Sequence, residues 1–250
     1  MSKPTIILIH GAWHSPAYFS SLITSLEQHG YKVVSPALPS IANSHVSPSP
    51  SNLEDVQAIR STILSELETA NVIVVPHSYG GIPTTSALEG LDTNSRITQG
   101  HATSVVAIAA LTSFILPAGT TLQESQNRPA LDITEMPATI APIVPEDIFF
   151  HDGSEDDKRQ WITMLKPMST AAFADASRYS AHEAIPLHYL LCGDDRAISL
   201  ETQRSILAAL EPTAKQSIRT EVIEGSGHAP FLTRVDETVA FLRRSAGEVV

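Results

Sequence analysis

One serine, one pair of aspartates and one histidine in this 250-residue chain sit where apolar strand patterns run out into loops, and together they could do nucleophilic chemistry. The serine is Ser78, in His77-Ser78-Tyr79-Gly80-Gly81. A serine hydroxyl is a weak nucleophile until a base takes its proton and a third group orients that base. His228, in Gly225-Ser226-Gly227-His228, supplies the base, and Asp194 or Asp195, in Cys192-Gly193-Asp194-Asp195-Arg196, supplies the orienting acid. The acid that does not face the histidine is a solvated loop carboxylate.

These residues need elements that bring them together. Residues 72–75 are a β-branched run suited to a strand buried on both faces of a parallel sheet, and Gly80 and Gly81 open the helix that follows. This is the layout of a nucleophile elbow, a strained strand-to-helix turn that lifts a serine clear of the sheet. Gly80 meets the need for a small residue two places after the serine. Pro76, two places before it, departs from that pattern and removes an N–H from a central strand. Further strand patterns cover residues 5–10, 31–35, 104–110, 187–191 and 217–223, and helical spacing covers 53–69, 200–210, 232–244 and a stretch from about Ser15 to His29. The alternation predicts a parallel sheet with helices on both faces and right-handed crossovers. Residues 36–52, rich in Pro and Ser, read as a mobile surface loop. Between residues 111 and 186 no strand is evident and one helix is expected near 156–165. So long a loop is improbable in a compact domain, and the interval reads as an inserted, partly helical cap.

Composition narrows the function. Hydrophobic residues make up 42% and charged residues 17%, a globular balance, and a net charge of −11 without a Lys/Arg cluster argues against nucleic acid or an anionic membrane as partner. One cysteine, Cys192, cannot form an internal disulfide. The N-terminal residues lack a secretory h-region and no run approaches a membrane span, so a cytoplasmic location is expected.

In open parallel sheets ligands bind beyond the carboxyl ends of the strands. Ser78, the aspartates and His228 all follow strands there, in the chain order of the α/β-hydrolase triad. With Ile9-His10-Gly11-Ala12-Trp13, HSYGG at the elbow, YLLCGDDRAI after the late strand and GSGHAPFL before the last helix, the chain resembles an α/β-hydrolase over nearly its whole length. It is similar to the small esterases of the plant methylesterase and hydroxynitrile-lyase type and their microbial relatives. That resemblance implies six core strands, with a core at residues 1–111 and 187–250 and the cap at 112–186. It implies Ser78 as nucleophile, His228 as general base, Asp195 as orienting acid, and the backbone N–H groups of Ala12 and Tyr79 as the oxyanion hole. It implies an ester, thioester or lactone of a small organic molecule as acyl substrate, with no cofactor. The oligomeric state is left open.

Other readings stand beside these. His10 reads as a brace for the loop at residues 10–13, and its four-residue spacing to His14 makes a poor zinc site because Gly11 spoils the helix and no third ligand is evident. His77 reads as sheet packing and Cys192 as a small buried hydrophobe. Trp13, Phe114, Phe149, Phe150 and Trp161 fit either a pocket wall or core packing. A lyase or cyclase on the same site, or a receptor on the same fold, uses the same residues. Hydroxynitrile lyases of the similar family carry Thr and Lys where this chain has Gly11 and Ala229, which disfavours cyanohydrin cleavage.

Overall fold

Apolar runs buried along nearly their whole length, at residues 5–9, 72–78 and 105–113, leave room only for a sheet covered on both faces. The computed structural model describes residues 3–45, 50–126 and 136–250. In it β1 (Thr5–Ile9) leads through a 3₁₀ turn (Pro16–Phe19) to α1 (Ser20–Gln28), β2 (Val33–Val34), α2 (Pro39–Ala42), α3 (Asn52–Glu66), β3 (Val72–Ser78), α4 (Gly81–Ala87), α5 (Thr93–Thr98) and β4 (Val105–Ser113). The following interval holds α6 (Leu122–Ser125), β5 (Thr139–Ile140), α7 (Pro145–Ile148), α8 (Glu155–Met164) and β6 (Met168–Ser169). The sheet resumes with β7 (Leu187–Cys192), α9 (Leu200–Leu210), β8 (Ile218–Ile223), α10 (Pro230–Thr233) and α11 (Val235–Ser245).

The main sheet has six strands in the order β2-β1-β3-β4-β7-β8, every pair parallel. Alternate residues feed two cores. Ile7, Val74, Ile108 and Tyr189 pack on one face, and Ile6, Leu8, Ile73, Val75, Ala109 and Leu190 on the other. This is the period of two written into a strand buried on both sides. The strand order reverses between β1 and β3, and the crevice beyond their carboxyl ends receives the loops after both.

Local signals set the element ends. Ser51 caps α3, bonding back with Glu54 as a capping box, and α11 carries Asp236 and Glu237 in its first turn and Arg243 and Arg244 in its last, matching the helix dipole. The strand expected at residues 31–35 shrinks to Val33–Val34 because Tyr31 N–H bonds Leu26 O and Gly30 adopts φ +79°, so the end of α1 consumes those residues in a Schellman-type stop. The helix expected at 232–244 is interrupted at Arg234, which leaves helical geometry with φ −132° and ψ 49°.

Two expectations are corrected. The stretch 36–52 is not simply a mobile surface loop. It contains α2, and Leu38, Ser40 and Ile41 are buried, held by Leu38 N–H on His10 Nε2 and Ser40 on Asp55. Residues 46–49 of that stretch lie outside the described residues. The interval after β4 does contain strands, β5 and β6, paired antiparallel as a small ribbon too short for an apolar pattern to betray.

Helix α4 starts hard against the end of β4. A Cβ on Gly81 would meet Phe114 O and Ser113 Oγ, each at 2.5 Å. Backbone cannot give way as a flexible side chain can, so Gly81→Ala is expected to destabilise the fold by about 1–3 kcal/mol, read as a lower urea midpoint at unchanged slope.

Candidate active site

Ser78 ends β3 with φ +52°, a left-handed backbone that a non-glycine residue adopts only under constraint. The constraint is visible. Its carbonyl accepts from Ser113 Oγ at 2.9 Å and from Phe114 N–H at 3.1 Å. Gly11 lies so close that a Cβ there would stand 2.8 Å from Ser78 Cβ, and one on Gly80 would stand 2.7 Å from His10 O. The glycines therefore let the loop after β1 close over the elbow. Pro76 is accommodated inside β3, opposite Ile9, so the strand continues through it to the serine.

Tyr79 follows the serine, and Ala12 follows Gly11, the glycine packed against Ser78 Cβ. Among the described residues neither backbone N–H donates to a protein acceptor.

Asp195 and His228 meet deep in the protein. His228 Nδ1 lies 2.8 Å from Asp195 Oδ2, and both side chains are buried. Asp195 Oδ2 also accepts from the Thr112 hydroxyl at 2.5 Å, and Oδ1 accepts the N–H groups of Ala197 and Ile198, each at 2.8 Å. Four donors fix the carboxylate, and since a carboxylate only accepts, His228 carries its proton on Nδ1 and leaves the Nε2 lone pair available to accept. Asp194 turns away to His151 Nε2 at 3.1 Å.

Three further histidines surround this pair, each tied to backbone. Leu38 N–H donates to His10 Nε2 at 3.1 Å, so His10 Nδ1–H donates to Gly11 O at 3.0 Å. His14 Nδ1 bonds Ala12 O at 2.7 Å, so His10 and His14 serve different partners and form no ligand pair. His77, expected in sheet packing, is fully buried in β3 against Phe231 and also donates from Nε2 to His228 O at 2.8 Å, with the two rings 4.6 Å apart. Burial lowers the pKa of His10 to about 4 and of His14 to about 3, and lowers His77 well below the usual range with help from His228 nearby. All three are neutral braces. Cys192 is buried, and burial pushes its thiol far up.

Aromatic rings pack next to His228 and Tyr79. Phe149 lies 5.5 Å from His228 and 5.7 Å from Trp13, and Phe173 lies 5.6 Å from both Trp13 and Tyr79. Trp13 is pinned by its indole N–H on Ile140 O at 3.1 Å and by Lys166 N–H on its carbonyl at 2.9 Å. Phe150 instead packs with Tyr18 and Trp161, and Phe114 belongs to the core.

Residues 6–241 match the model of the alpha/beta hydrolase family. The chain belongs to that family. Among its relatives is an alpha/beta hydrolase, nvfD, from Aspergillus novofumigatus, 28% identical over all of this chain and 99% of its own length. Polyneuridine aldehyde esterase superposes with a TM-score of 0.74 at 16% identity, over 97% of this chain and 99% of that one. A methylesterase from Arabidopsis gives 0.71 at 19% identity, over 98% and 99%. At such identities these likenesses speak to the fold, which is that of the α/β-hydrolases.

Several parts of this hydrolase-family site carry no sequence signal. Thr112 is the extra residue of a bulge where β3 and β4 shift register, between the pairs His77↔Leu111 and Ser78↔Ser113, and its φ of +34° turns its hydroxyl to Asp195. Phe173 comes from a 3₁₀ turn in the interval between β4 and β7. Asp55, on α3, is wholly buried and receives the Tyr79 hydroxyl at 2.8 Å, the Ser40 hydroxyl at 2.6 Å and Ser40 N–H at 2.9 Å. It thereby anchors the side chain of the residue after Ser78.

Burial raises the Asp55 pKa from 3.8 to about 6, against the pull of the Ser40 and Tyr79 donors. The folded chain thus holds this proton more tightly than the unfolded chain. Its stabilising contribution is full below about pH 4 and is lost as pH rises through about 6. Relative to Asp55→Asn, the wild type should gain roughly 1 kcal/mol between pH 7 and pH 5 in urea unfolding. Parallel pH profiles for the two proteins would contradict this origin.

Proposed function

We propose that the chain is a serine carboxylic-ester hydrolase that cleaves an ester, thioester or lactone of a small organic molecule through an acyl-enzyme. The observation that carries the proposal is the buried Asp195–His228 pair, 2.8 Å apart, tied through the His228 carbonyl to His77, which precedes a serine held at φ +52° at the strand end. His228 Nε2 takes the Ser78 proton as Oγ adds to the carbonyl carbon. The tetrahedral oxyanion is held by the N–H groups of Ala12 and Tyr79, donors of a kind each worth about 3–4 kcal/mol to a transition state. Asp195 stabilises the imidazolium and keeps its Nδ1–H in place. His228 then returns the proton to the departing alcohol, thiol or ring oxygen as the acyl bond to Ser78 remains. Water, activated by the same Nε2, adds to the acyl-enzyme, and the acid leaves as Ser78 regains its proton.

The family membership and the esterases among its structural neighbours support this reading. Trp13, Phe149 and Phe173 suit an apolar acyl or alkoxy group, since small-molecule sites are mostly apolar walls with a few fixed polar groups. The neutral histidines around His228 leave it as the base with a carboxylate partner.

The test is turnover of p-nitrophenyl acetate and butyrate with mass spectrometry of the protein. Ser78→Ala should abolish turnover and the acyl adduct, and Asp195→Asn should lower kcat by up to about 10⁴ through the wrong imidazole tautomer. A fully active Ser78→Ala protein would sink the proposal.

A further inference from the structure

Two adjacent residues of the inserted interval reach the two loops that carry the proposed acid and base. His151 meets Asp194, next to Asp195, but the Asp194 side chain is 58% exposed and such a pair is worth little. Asp152 makes the stronger tie. Its Oδ2 accepts from Gly227 N–H at 2.8 Å and from the Thr233 hydroxyl at 2.7 Å. Gly227 immediately precedes His228, and Thr233 closes α10 just beyond it. One carboxylate oxygen therefore brackets the histidine on both sides.

The approach is close enough to dictate the residue beneath it. A Cβ on Gly227 would stand 2.5 Å from Asp152 Oδ1, 2.8 Å from its Cγ and 2.9 Å from His151 Cε1. Gly225, two residues earlier, has φ +67° and open space around it, so its need for glycine is conformational while that of Gly227 is steric. On the core side His77 holds His228 O. The backbone around the base is thus gripped from the sheet by His77 and from the insertion by Asp152.

We infer that Asp152 is a positioning residue for His228: the insertion supplies the carboxylate that sets the turn at residues 227–233, so that Nδ1–H stays on Asp195. The inference rests on the proposed triad. It makes base alignment depend on how the insertion is seated, and a displacement of about 1 Å at a reacting group can cost about 10²-fold in rate.

The experiment compares Asp152→Ala, Asp152→Asn and Ser78→Ala. Turnover of p-nitrophenyl acetate is measured alongside the downfield proton NMR signal of His228 Nδ1–H. Asp152→Ala should lower kcat by roughly 10- to 100-fold with KM within about threefold, and should broaden or shift the downfield proton. Asp152→Asn, whose amide oxygen can accept from the same two donors, should recover most of both. A folded Asp152→Ala protein with wild-type kcat and an unmoved downfield proton overturns the inference, as does a change in melting temperature or KM alone. If Asp152→Ala does not fold, Gly227→Ala asks the same question by pushing the carboxylate off the turn, and wild-type kcat there also overturns it. The NMR comparison needs no substrate, and activity in Ser78→Ala would mark failure of the triad reading separately.

Discussion

A serine forced into left-handed backbone geometry at the end of a buried strand is the constraint on which the site depends. Such a residue costs of order 1–3 kcal/mol and persists only where its surroundings over-determine it. Here Ser113 Oγ and Phe114 N–H hold the Ser78 carbonyl, and Gly11, Gly80 and Gly81 let three backbone segments crowd around it. Strands β1, β3 and β4 stay in place because their side chains are buried on both faces of the sheet. The strain at the elbow is offset by that burial, far larger in sum.

Four histidines lie around one serine, and their partners differentiate them. His10, His14 and His77 bond to backbone carbonyls and are kept neutral by burial. His228 alone among them faces a carboxylate, itself gripped by Thr112 and two backbone N–H groups. Burial and hydrogen bonding thus divide one residue type between scaffold and proposed base. The same logic separates Asp195 from Asp194, adjacent in sequence yet turned to His228 and to His151.

The interval between β4 and β7 contributes side chains and backbone contacts to the site region. Phe149 and Phe173 come from it and complete the ring wall that starts with Trp13. Through Lys166 N–H and Ile140 O it also clasps Trp13, the residue after the proposed oxyanion donor Ala12. Geometry around the proposed site is therefore set by both the loop after β1 and this interval.

How much of this was legible beforehand follows from the range of each interaction. The alternation of strands and helices, the six-strand sheet and the elbow at Ser78 are local patterns of apolar spacing, glycine and capping residues, and these can be read along the chain. The placement of serine, acid and histidine at strand ends was legible for the same reason, since a parallel sheet sends all those ends to one side. The bulge at Thr112, the burial of residues 38–41, the anchoring of Tyr79 by Asp55 and the grip of Asp152 on Gly227 were not. Each joins residues far apart in sequence through one or two hydrogen bonds, and no spacing or composition records such a contact. By itself the sequence determined the architecture and the kinds of residue available for chemistry. Only the tertiary structure decided which carboxylate meets His228 and which residues hold it there, because those choices rest on distances across the packed core.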